Sequence, residues 1–180
     1  MIITALSNWR PEPGALIEWH PSESARTLAA TPKVDPTPPS FLQDGHVRSY
    51  IGGRDAGRAH NAFLGATTEF DTDLDAPALT RALTTYLQRH EGLRSTFDIV
   101  DGQVVRYLVD PAALEFDVTE VGVLDSHEEF LDYVQNRLRA EATPVGWPGF
   151  SLGVVRRPGS FTLYYGTDHS LSDGASQVLS

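Results

Sequence analysis

A layered α+β fold, with helices laid over a sheet of antiparallel hairpins, is predicted by three observations. Two stretches carry apolar residues at helical spacing, two pairs of alternating runs are closed by tight-turn dipeptides, and strands and helices do not alternate regularly. The irregular order and the lack of a Gly-rich phosphate loop argue against a doubly wound nucleotide-binding sheet. With 180 residues and 41% hydrophobic content, the chain suits one domain or one large lobe with a real core.

The elements follow in order. A short strand is predicted over residues 15–19. Residues 21–40 hold five of the 12 prolines with little apolar periodicity, which predicts an extended surface connection. A helix is expected from about Ser40 to Tyr50 and a break at Gly52-Gly53, then a strand over 62–70. From Asp75, the N-cap, residues Leu79, Ala82, Leu83, Tyr86, Leu87 and His90 recur at helical spacing. The runs 96–100 and 103–109 flank Asp101-Gly102, a dipeptide that supplies two positive-φ positions and so predicts a hairpin. Another strand covers about 115–121. A second helix starts at Ser126, where Glu129 completes a capping box, and carries the stripe Phe130, Leu131, Val134, Leu138 and Ala142 until Pro144 forbids its continuation. A final hairpin pairs 150–156 with 161–167 across Pro158-Gly159.

Composition excludes several function classes. A net charge of −10, with only 14 scattered Lys and Arg, argues against binding a phosphate backbone, so no nucleic-acid partner is expected. The absence of cysteine removes disulfides, thiolate metal sites and a cysteine nucleophile. Neither a secretory leader nor a membrane span is legible, which leaves a cytoplasmic location as the default.

The chemistry-bearing segment is Asp168-His169-Ser170-Leu171-Ser172-Asp173-Gly174, which follows the alternating run 161–167. A strand that delivers a histidine into a turn, with Asp-Gly close behind, is a common way to present a general base to a hydroxyl, amine or thiol. Such a spacing arises by chance in on the order of one per cent of chains of this length, so context must decide. His20, His46, His60 and His127 show no metal-ligand spacing and are read as surface or packing residues. Asp71, Asp73 and Asp75 are read as loop and cap, not as a calcium site, and Trp9, Trp19 and Trp147 as packing residues.

A second segment supplies the context. Arg89-His90-Glu91-Gly92-Leu93-Arg94-Ser95-Thr96-Phe97 resembles the RHExLRTxF signature of condensation domains and related acyltransferases, and 168–174 resembles their HHxxxDG motif. The Trp- and Pro-rich opening, from Trp9 through Trp19-His20-Pro21 to Pro39-Ser40, is similar to the polyketide-associated (Pap-type) acyltransferases. Two departures stand out: the first histidine of the family's pair is Asp168 here, and 39–44 only partly matches the family's early SxAQ-type signature.

The resemblance implies the N-terminal lobe, over residues 1–180, of a two-lobed chloramphenicol-acetyltransferase-like fold with a mixed or antiparallel sheet. It implies His169 as the catalytic base, Asp173 paired with Arg94 as a strut, Gly174 allowing close backbone approach, and Asp168 as support of the site. The donor would be acyl-CoA or a phosphopantetheinyl acyl-carrier thioester, the partner an acyl carrier protein or acyl-CoA, and no metal or bound cofactor would be needed. The other wall of the site would belong to a C-terminal lobe absent from these 180 residues, so no acyl transfer is expected from this lobe alone. Residues 175–180 read as the first turns of a helix. Three alternatives stay open: an amide-forming condensation domain, a non-catalytic recruitment module, and a compact trimeric acetyltransferase.

Overall fold

A computed structural model describes residues 5–172 of the chain. Strand β1 (Ala15–Pro21) lies inside a five-stranded sheet of order β3-β8-β7-β1-β6, and every pairing in that sheet is antiparallel. Its other strands are β3 (Phe63–Phe70), β6 (Phe116–Gly122), β7 (Phe150–Arg157) and β8 (Ser160–Asp168). A smaller antiparallel sheet has the order β2-β5-β4, from β2 (Lys33–Val34), β4 (Ser95–Val100) and β5 (Gln103–Leu108). This is the α+β architecture expected from the mixture of hairpins and helices.

Period-two alternation gives the large sheet two apolar faces, and one helix covers each. Helix α3 (Ala76–Arg89) lays Leu79 and Leu83 against Ile17, Trp19, Leu152 and Val154. Helix α4 (His127–Glu141) lays Phe130, Val134 and Leu138 against Leu16, Val155 and Tyr164 on the opposite face. Each fully buried Leu, Val or Phe contributes about 1.5–3 kcal/mol of transfer free energy, so these stripes hold the three layers together. The predicted caps are present: Asp75 accepts from the Ala78 amide at 2.8 Å and Ser126 from the Glu129 amide at 3.1 Å. Glu129 does not close its box on Ser126, because its carboxylate takes the Asp125 amide at 2.9 Å instead.

The Asp101-Gly102 turn forms with φ of 50° and 77°, as a two-residue hairpin loop requires. Trp19 and the neighbourhoods of Trp9 and Trp147 are packed against apolar residues, as expected of core aromatics.

Two local expectations change. The proline-rich stretch is not wholly extended: it contains α1 (Glu23–Ala29) and β2, with Ser22 accepting from the Ala25 amide at 3.1 Å as the helix cap. Ala29 then packs on Val109 and Ala113. Helix α2 (Phe41–Asp55) does not stop at Gly52-Gly53 but runs through both glycines. Val47 and Ile51 pack on Phe97, Val104 and Ile99 of the small sheet, and this burial outweighs a glycine cost of about 1 kcal/mol per residue. Among the described residues no helix is long and apolar enough to cross a membrane.

Candidate active site

The end of β8 carries the site, where the large sheet meets α2. Asp168 is fully buried, at 0% exposure, and is the last residue of the strand, paired with Phe63 of β3. Its amide donates to the Gly149 carbonyl at 2.9 Å, and its own carbonyl accepts from the Leu171 amide at 3.0 Å, which closes the turn that begins at His169.

The carboxylate of Asp168 gathers donors from three segments. His46 on α2 places Nε2 at 3.0 and 3.1 Å from its two oxygens, and His60 in the following loop places Nε2 at 2.9 Å from Oδ2. Ser170 donates its amide at 2.8 Å and its hydroxyl at 2.5 Å to Oδ1. A carboxylate only accepts, so both imidazoles carry their proton on Nε2. Burial pushes the Asp168 carboxyl up, but the bonds from His46, His60 and Ser170 outweigh it and bring it down to about 2. Asp168 is therefore a buried, ionised anchor at neutral pH.

The sequence places these donors by helix geometry. Ser40 and Gln43 form a reciprocal capping box at the start of α2, and Gln43 Nε2 also donates to the Ser170 carbonyl at 2.9 Å. His46 lies three residues further on and so shares that face. The partly matched 39–44 segment thus has a structural job. Tyr50, the next turn on the same face, sets its ring edge against His60 at 4.9 Å and 88°.

His169 itself is exposed, while its amide donates to the Ala62 carbonyl at 3.1 Å. Its ring centroid lies 6.3 Å from that of His46. Next to His46 a cleft of about 240 Å³ is lined by His46, Tyr50, Arg54, Arg58, His60 and Ala62, among others, but not by His169. A larger hollow of about 370 Å³ lies at the start of α4, near Arg10 and His127, and shares no lining residue with the site.

Of the residues expected to serve the site, the structure brings Asp168 and His169 together at the strand end. Asp173 and Gly174 lie outside the described residues, and so does the 175–180 helix start. Arg94, the expected partner of Asp173, donates Nη1 to the Val109 carbonyl at 2.7 Å, and its buried Nε has no hydrogen-bond partner among the described residues. The surface-or-packing reading of His46 and His60 is overturned, since both converge on Asp168. Their potential ligating atoms and that of Asp168 lie within 4.8 Å of one another, so among the described residues this is a group that could hold a metal ion. As it stands, each imidazole spends Nε2 on a hydrogen bond to the carboxylate.

A second buried cluster lies between β1, β7 and α4 and opens on no cleft described above. Glu18, 1% exposed, takes the Arg137 guanidinium at 2.6 Å, the Tyr133 hydroxyl at 2.9 Å and His20 Nε2 at 3.3 Å. Arg137 also donates to Glu141 at 3.0 Å and to the Leu152 and Trp19 carbonyls at 2.9 and 3.0 Å. Glu141 and then Glu18 push the His20 imidazole up to about 9. With His20 protonated, two cations face two carboxylates, so the cluster is balanced and serves to seat α4.

No protein-family model matches the chain. It is similar to the 2'-acyl-2-O-sulfo-trehalose (hydroxy)phthioceranyltransferase PapA1 of Mycobacterium tuberculosis, 33% identical over 174 residues that are 96% of this chain and 33% of that protein. It is also similar to the trehalose-2-sulfate acyltransferase PapA2 of the same species, 27% identical over 95% of this chain and 36% of the relative. Among solved structures it superposes on the PapA2 acyl transferase with a TM-score of 0.80 at 25% identity, covering 93% of this chain and 36% of that one. The first condensation domain of the calcium-dependent antibiotic synthetase shares the fold, with a TM-score of 0.56 over 78% of this chain and 36% of that one, at 23% identity. The chain spans about a third of the length of the curated relatives it matches, 33% for the first of them.

Proposed function

We propose, on the premise that its homologues are the Pap acyltransferases, that this chain is the base-bearing N-terminal lobe of a two-lobed acyltransferase of the chloramphenicol-acetyltransferase-like fold. The observation that carries the reading is His169: an exposed imidazole at a strand end, on a backbone fixed by Asp168 and Ala62, with His46 and Ala62 lining a neighbouring cleft. In this reading the acceptor hydroxyl attacks the carbonyl carbon of an acyl thioester. The new C–O bond forms, the C–S bond breaks, His169 takes the hydroxyl proton, and that proton leaves with the thiolate. The thioester is already activated, so the protein has to position two substrates and stabilise an oxyanion. Acyl-CoA or an acyl-carrier thioester is the donor, and a second lobe supplies the opposite wall.

The acceptor class is proposed from the relatives, PapA2 being a trehalose-2-sulfate acyltransferase: a sugar or lipid alcohol, giving an ester. Sequence likeness over nearly the whole chain to that relative favours it over an amide-forming condensation domain. The test is a screen of the full-length protein with acyl-CoA and acyl-carrier thioesters against alcohol and amine acceptors, read by mass spectrometry. Ester formation is expected, and amide formation alone would overturn the acceptor class.

A further inference from the structure

We propose that His46 and His60 are positioning residues for His169, acting through the Asp168 carboxylate, so that α2 and the loop behind it belong to the machinery of the site. This rests on the reading of His169 as the base.

An unpaired buried charge is costly. Asp168 stands immediately before the base, fully buried, and an ionised carboxylate there is tolerated only if its oxygens are filled with donors. Ser170 fills Oδ1 from within the same turn. Among the described residues, Oδ2 takes its hydrogen bonds from His46 and His60, which come from outside the turn. Each histidine is accompanied by a second bond from its own segment to the backbone around the base. Gln43, one helical turn before His46, holds the Ser170 carbonyl at 2.9 Å. Ala62, two residues after His60, holds the His169 amide at 3.1 Å. Residues 168–170 are thus gripped by side chain and backbone from both sides, and His169 keeps only its side-chain torsions.

The grip is itself braced. Val47 and Ile51 fix α2 on the small sheet, Tyr50 packs edge-on against His60, and Arg139 of α4 donates to Asn61 at 2.9 Å. The placement of the base is therefore tied to both sheets and to α4. A misplacement of about 1 Å at a reacting group can cost on the order of 100-fold in rate, which is the scale such bracing protects.

The experiment compares His46→Leu, His60→Leu and His46→Gln in the full-length protein. Gln keeps an N–H donor at a reach similar to imidazole Nε2, whereas Leu keeps only bulk. Each Leu variant is expected to lower kcat about tenfold or more with KM within about twofold, and His46→Gln to recover most of the loss. Amide exchange at His169 and Ser170 should rise in the Leu variants while the β7–β8 pairing amides stay protected. Wild-type kcat and exchange in the Leu variants would overturn the proposal. So would loss of protection spread evenly through β7 and β8, a Gln variant no better than Leu, or one-to-one zinc binding that Asp168→Asn abolishes. Absence of acyl transfer in the wild type would instead overturn the base assignment, and the exchange measurement alone tells that apart from failure of the grip.

Discussion

Asp168 and His20 sit in opposite electrostatic situations, and each makes stability depend on pH in its own window. The Asp168 carboxyl is depressed from its ordinary 3.8 to about 2, so its contribution is present above 3.8 and lost as pH falls through about 2. A shift of that size corresponds to roughly 2 kcal/mol. Asp168→Asn should be less stable than wild type at pH 6 in urea unfolding, and the gap should close by about that amount as pH falls from about 4 to below 2. A gap that stays constant would contradict the anchor. His20 is raised from 6.5 to about 9, so its contribution is full below 6.5 and lost as pH rises through about 9. Wild-type stability should therefore decline from neutral to alkaline pH, and His20→Gln should lose that slope. His169 was legible in the sequence because strand, turn and Asp-Gly are contiguous. His46 and His60 were not: they lie 122 and 108 residues from Asp168, and only the fold makes them neighbours. Asp168, read as a departure from the family's paired histidines, is where they meet.

At the scale of elements, the turn after β8 is seated by shape as well as by hydrogen bonds. A Cβ on Gly149 would stand 3.0 Å from the Thr143 carbonyl and overlap the Leu171 side chain, which packs near Phe97 and Phe150. Gly149→Ala should cost about 1–3 kcal/mol in denaturant unfolding and raise amide exchange at Leu171, and a neutral effect on both would contradict this seating. The elements the sequence announced are those whose signals are local: the Asp75 and Ser126 caps, the stripes of α3 and α4, and the Asp101-Gly102 turn. Those it concealed depend on distant partners. Helix α1 hides among prolines because only burial of Ala25 and Ala29 rewards it, and α2 outruns Gly52-Gly53 because the small sheet receives its apolar face.

On the scale of the whole molecule, two helices sandwich one sheet while a third, α2, bridges the small sheet to the end of β8, and the proposed base stands at that junction. The chain corresponds to about a third of its first curated relative, 33% of its length, so the opposite wall of the cleft is proposed to come from a second lobe. The role proposed for His169 is to take the acceptor's proton during acyl transfer. Its most direct measurement is kcat/KM of the full-length protein and its His169→Ala variant, with the acyl thioester and acceptor found by the screen, alongside circular dichroism to confirm equal folding. A fall of about 10²- to 10⁴-fold is expected in the variant, with an unchanged spectrum. Acyl transfer at the wild-type rate by a folded His169→Ala protein would contradict it.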